Sequence, residues 1–169
     1  MLTDWTSLAT NLGSKQEDGS ERGGDDYAMQ ALEQILGDEW IENTVDHILS
    51  GRQGSELAMN CLRYIGSTKA AKFAYKIYQS SSGEKASQAV WLIKHIANPI
   101  SADWIEEFLS DRNVMHLGLG VLDQLIWTNR LSDSERISSL LKLADDNSEG
   151  QLRDHVNFIK KYLNERSKS

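Results

Sequence analysis

Cysteine, proline and long apolar runs are all scarce in this chain, and each scarcity narrows what the chain can be. The single cysteine, Cys61, excludes an internal disulfide and makes a reducing, cytoplasmic compartment the expected one. The single proline, Pro99, leaves long stretches free to be helical. No apolar run approaches the roughly 18–20 residues needed to cross a bilayer. The opening Met1-Leu2-Thr3-Asp4-Trp5 has neither the basic region nor the continuous apolar segment of a signal peptide, so no membrane partner is expected. Basic side chains are also in deficit: 18 against 25 acidic ones give a net charge of −7 and a pI of about 5.1. That field repels phosphate backbones and favours a basic partner over nucleic acid.

Catalytic signatures are missing as well. The histidines His47, His95, His116 and His155 fall on four different predicted helices, none within H-E-x-x-H and no two at chelating spacing, so no metal is expected. Acidic pairs such as Asp25/Asp26, Glu106/Glu107 and Asp145/Asp146 are accounted for by carboxylates placed along solvated helices and at helix starts. No serine sits in a G-x-S-x-G elbow, and Cys61 falls at a predicted core position where a thiol is inert. The glycines of segment 13–26 lack the following Lys-Ser or Lys-Thr of a phosphate cradle. The expectation is a protein that is not an enzyme and carries no cofactor.

What the chain does have is a repeated helical phrase. Ala28–Ala31–Leu32–Ile35, Ala58–Cys61–Leu62–Ile65, Ala86–Ala89–Val90–Ile93 and Met115–Gly118–Leu119–Leu122 share one pattern of small and apolar residues. Recurrence at about one helix pair marks a stacked repeat protein, in which no unit buries its apolar face alone. Small residues at Ala28, Ala31, Ala58, Ala86, Ala89 and Gly118 allow close approach of neighbouring helices.

Periodicity and punctuation divide the chain into alternating A and B helices. A short opening helix over 3–12, carrying Leu2, Trp5, Leu8, Ala9 and Leu12, ends at Gly13. Segment 13–25 has no apolar residue and reads as a flexible loop. A1 covers 26–36 up to Gly37, B1 39–49, A2 runs from an N-cap at Ser55 to Gly66, and B2 covers 68–79. A3 covers 84–97 and is stopped by Pro99; Ser101 caps B3 over 102–110. A4 covers 112–128, Ser132 and Glu135 form a capping box for B4 over 133–145, and a last helix spans 149–165. The phrase acid-Trp-Ile-Glu opens both B1 (Glu39–Glu42) and B3 (Asp103–Glu106), which reinforces the repeat. The fold class is all-α: one domain over 1–169, an α-solenoid of about four helix pairs plus terminal helices.

Over residues 26–146 this pattern resembles HEAT-like repeats. The size, acidity and architecture together resemble bacterial immunity proteins of contact-dependent growth inhibition systems, some of which are built from HEAT-like helices. The resemblance implies a cytoplasmic protein that neutralises a cognate, cationic nuclease toxin domain by occluding its cleft. Its B helices would line a concave, acidic groove.

The candidate contact residues are Glu42 and Asp46 on B1, Tyr75 on B2 beside Lys72 and Lys76, and Asp103, Glu106 and Glu107 on B3. Trp91 on A3 points away from its helix's apolar stripe; it is either an exposed anchor or packed under the N-terminal helix. Two other function classes stay open. A scaffold or adaptor subunit of a larger assembly would hold several partners, and a HEAT-like DNA glycosylase would need a basic concave face that the net charge argues against.

Overall fold

Burial follows the helical period through a core that runs from Ile41 to Ile159, so each amphipathic segment contributes one stripe to a continuous interior. The structure is a computed structural model and describes residues 3–166; Leu2, placed in the opening helix by its spacing, lies outside the described residues. Within them every regular element is a helix: α1 (Trp5–Leu12), α2 (Asp25–Leu49), α3 (Ser55–Tyr64), α4 (Thr68–Ser80) and α5 (Gly83–Ile96). A 3-10 turn, Pro99–Trp104, leads into α6 (Ile105–Ser110), and α7 (Met115–Trp127), α8 (Ser134–Asn147) and α9 (Gln151–Arg166) follow.

The helices form two layers in a solenoid-like stack. The A helices α3, α5, α7 and α9 pack each on the next, and the B elements do likewise: α2 on α4, α4 on the 3-10 turn, α6 on α8. Between layers, each B element packs along the A helix that follows it, as in α4 with α5 and α6 with α7. The closest hairpins are therefore B-to-A, one step out of phase with the A-to-B pairing suggested by the repeat.

A1 and B1 are the two halves of α2, broken where Gly37 adopts φ 79° and ψ 164°, a conformation open to glycine and strained for other residues. Left-handed residues recur at the ends of the later A helices, at Gly66 (φ 54°), Ala97 (φ 50°) and Asn129 (φ 57°). Beside these turns runs a ladder of hydrogen bonds between successive units. Asn98 Nδ2 donates to Gly66 O at 2.6 Å, Arg130 donates to Ala97 O at 2.8 Å, and Arg166 donates to Asn129 Oδ1 at 2.9 Å. Tyr78, near the end of α4, donates to Asp111 just past α6 at 3.2 Å; Arg136, in the first turn of α8, donates to Asp103 of the 3-10 turn at 2.8 Å; and in the A layer His155 meets Asp123 at 3.1 Å.

Several local expectations are corrected. Gly54 and not Ser55 is the N-cap of α3, since the Ser55 hydroxyl turns back to donate to the carbonyls of Arg52 and His47. Asp133 and not Ser132 caps α8, accepting from the amides of Glu135 and Arg136. Asn98 and not Ser101 caps the turn at Pro99, because its carboxamide reaches both the Ile100 amide and the preceding unit.

Ser101 is fully buried and its hydroxyl has no partner among the described residues. Replacing it with alanine removes a buried, unsatisfied polar atom, so Ser101→Ala is expected to leave stability unchanged or raise it by up to about 1 kcal/mol. Urea unfolding checks the sign; a loss above that margin would show that the hydroxyl does find a partner. Segment 13–25 carries hydrogen bonds of its own: the Arg22 amide donates to Ser14 O at 2.7 Å and the Gln16 amide to Ser20 O at 2.8 Å, around a bridge between Lys15 and Glu21.

Candidate protein-binding surfaces

The repeat phrase holds in α5, where Ala86, Ala89, Val90 and Ile93 are all buried. It fails in A1. There the buried side is Glu33, flanked by half-buried Met29 and Leu36, while Ala28, Leu32 and Ile35 face solvent. The reason lies across the stack: the Glu33 carboxylate accepts from the Ser67 hydroxyl and from the Lys69 amide (2.9 Å), closing the N-terminus of α4. Cys61 is likewise exposed and not a core residue, because α3 turns Leu62 and Met59 inward.

Of the seven residues singled out from the sequence, six lie on B elements. Glu42 and Asp46 on α2 and Glu106 on α6 are exposed and have no ion-pair partner among the described residues. Asp103 is bound to Arg136 at 2.8 Å, an ion pair that ties the 3-10 turn to α8. Tyr75 is only partly exposed: its ring stacks on Trp104 with centroids 4.2 Å apart and planes 4° apart, and its hydroxyl donates to Glu107. Burial, then the Glu107 carboxylate, push the Tyr75 phenol up to about 12. Tyr75 and Glu107 thus join α4 to α6, and Tyr75 is not the free surface side chain expected from helical phase. Between the acidic rows, Lys72 and Lys76 of α4 are exposed, so the B layer alternates acidic, basic, acidic.

Trp91 does not share that face. It belongs to the A layer, 37% exposed, with its ring 4.3 Å from that of His95. It walls an apolar cleft of about 410 Å³ together with Ile48, Leu49, Ser87, Gln88 and Leu117, and no α1 residue lines that cleft. Packing under the N-terminal helix is therefore not what half-covers it. Burial, followed by Lys94 and Arg63, holds His95 below the usual histidine value of 6.5.

The residues missed from the sequence are also in the A layer. Among the described residues nine large apolar side chains are exposed, and seven stand on A helices: Trp91, already singled out from the sequence, and Leu32, Ile35, Leu57, Tyr64, Trp127 and Phe158. Three of them, Ile35, Tyr64 and Trp127, fall at equivalent positions, and that equivalence appears only when units are aligned on their left-handed residues. Two of those residues, Ala97 and Asn129, are not glycine and so carry no glycine signal in the sequence.

No three His, Cys, Asp or Glu side chains converge at metal-binding distance among the described residues, and no described helix is long and apolar enough to cross a membrane. The histidines stay apart: His47 meets Gln53 O at 3.0 Å, His95 meets Trp91, and His155 meets Asp123. No family model, curated protein or solved structure matches the chain.

Proposed function

We propose that this chain is a protein-binding helical stack that grips a basic protein domain through its B layer and inhibits it by occlusion, as an immunity protein neutralises a cationic nuclease toxin. The observation that carries the reading is the set of exposed carboxylates Glu42, Asp46 and Glu106, unpaired among the described residues, in a chain of net charge −7. Charges left unpaired on a rigid scaffold steer a cationic partner and fix its orientation. Asp103, Glu107 and Tyr75 support the face indirectly, by tying its elements together.

The test begins with the gene next to this one: a large secreted toxin encoded immediately upstream supports immunity, and a metabolic operon would end it. With such a toxin domain in hand, Glu42→Lys/Glu106→Lys is expected to slow association by about tenfold or more, to flatten its salt dependence and to abolish rescue of growth. Stopped-flow binding at two ionic strengths reads this directly. Unchanged association would remove the B layer from the interface. A scaffold or adaptor role is the second reading, favoured by the apolar side chains that stand on the opposite layer.

A further inference from the structure

The A layer carries a row of side chains that neither the core nor the B-layer reading uses. Ile35, Tyr64, His95 and Trp127 each stand two residues before the left-handed residue that ends their helix half: Gly37, Gly66, Ala97 and Asn129. Three of these four are exposed, Ile35 at 45%, Tyr64 at 78% and Trp127 at 62%; at the fourth, His95 is half-buried and the exposed ring is that of Trp91, which packs against it. The Trp127 ring extends the row to Tyr162 of α9, 5.2 Å away between centroids. An apolar row of this kind on a repeat scaffold is the hallmark of a contact surface, since aromatic residues concentrate binding energy.

The charge beside the row is of the opposite sign to the chain as a whole. Arg63 is exposed and Lys94 half-buried, both lie close enough to act on His95, and neither has an ion-pair partner among the described residues. Two cationic side chains next to exposed rings favour a ligand with carboxylates flanking apolar side chains. Spacing says more. Packed helices lie about 8–10 Å apart, so four successive anchors span about 24–30 Å. Two turns of an α-helix rise about 10.8 Å, which brings an apolar residue at every seventh position over each anchor in turn.

We propose that the A layer is a second docking surface, whose occupant is an acidic amphipathic helix of another protein laid across Ile35, Tyr64, Trp91/His95 and Trp127, with its carboxylates toward Arg63 and Lys94. This site is independent of the B layer. A chain holding a basic domain on one layer and an acidic helix on the other bridges two partners.

The probe is a synthetic helix of about three heptads, with leucine at every seventh position flanked by glutamate, titrated against the full chain by fluorescence anisotropy. Binding is expected to weaken by about tenfold or more when lysine replaces the peptide's glutamates, and by a similar factor with Tyr64→Ser/Trp127→Ser. Arg63→Glu should reverse the preference between the acidic and basic peptides without touching the rings. Glu42→Lys/Glu106→Lys should leave the affinity for the acidic peptide unchanged, which separates this site from the B layer. Circular dichroism and urea midpoints confirm that each variant is folded.

Equal affinity for both peptides, no measurable binding of the acidic one, or indifference to Tyr64→Ser/Trp127→Ser would overturn the proposal. Sedimentation gives a further check. A dimer of the chain alone that is lost with Tyr64→Ser/Trp127→Ser would assign the row to a second copy and also overturn it.

Discussion

Gly118→Ala is expected to destabilise the protein by about 2–3 kcal/mol, against the ordinary direction of a glycine-to-alanine change in a helix. Gly118 lies in α7 with an ordinary helical backbone, so alanine alone would favour the helix by about 1 kcal/mol. Tertiary packing reverses the sign. A methyl group at Gly118 would meet Phe108 Cβ at 2.5 Å and the Phe108 carbonyl carbon at 3.2 Å. Neither atom is the end of a flexible chain, so α6 and α7 would have to separate.

Phe108 is fully buried and packs edge-on against Tyr78, centroids 5.0 Å apart, so the displacement would spread into the contacts joining α4 to α6. Equilibrium unfolding in urea measures the loss, and Tyr75 or Trp104 exposure should change in parallel. A neutral or stabilising result would mean that the two helices part without cost. Gly120 offers the contrast. Its added methyl would meet the far end of the Lys94 side chain, Cδ and Cε at 3.0 Å and Nζ at 3.4 Å, which can move aside, so Gly120→Ala should cost less than Gly118→Ala.

Glu33→Ala should cost a similar amount, about 2–3 kcal/mol. The carboxylate is nearly buried and accepts two hydrogen bonds from the start of α4, one from the Ser67 hydroxyl and one from the Lys69 amide at 2.9 Å. Alanine leaves the Lys69 amide without that acceptor and removes a negative charge from a helix N-terminus. Ser67 keeps its own capping bond, accepting from the Ala70 amide at 3.0 Å, so α4 should fray and not unfold outright. Glu33→Gln retains an acceptor and should lose only about 1 kcal/mol. Hydrogen exchange at Lys69 reads the mechanism: faster exchange in the alanine variant than in the glutamine variant is the expected order. Equal exchange in both would show that the carboxylate contributes charge and no bond.

Helix order and several boundaries were legible over residues 26–166 because glycine and proline act within a few residues of where they stand; the capping side chains were not, since Gly54, Asn98 and Asp133 cap where Ser55, Ser101 and Ser132 were expected. Gly37, Gly66 and Pro99 each mark a boundary found in the fold. Helix-on-helix stacking was legible too, but not the pairing within it: the repeated phrase suggested A-to-B hairpins, and the closest contacts are B-to-A.

The orientation of individual faces was less so. Periodicity says that Ala28, Leu32 and Ile35 share one side of A1; it does not say that the opposite side will be held inward by Glu33 at a helix thirty-four residues away. The same blindness placed Cys61 in the core and left Tyr75 free. An A helix in a stack has neighbours on several sides, and local spacing cannot rank them.

The candidate surfaces divide in the same way. Unpaired acids on the B layer were visible as Glu42, Asp46 and Glu106, since solvated charge on an amphipathic helix follows from phase alone. The apolar row of the A layer needed tertiary structure, because two of its four registers end in the left-handed residues Ala97 and Asn129, which no glycine announces. Sequence by itself thus determined an all-helical, acidic chain with a repeating unit, through interactions reaching a turn or two along the helix. Only the assembled stack decided which stripe each helix turns inward, because hydrogen bonds and packing between units, some thirty residues apart in the chain, outweigh the small differences between one helical face and the next.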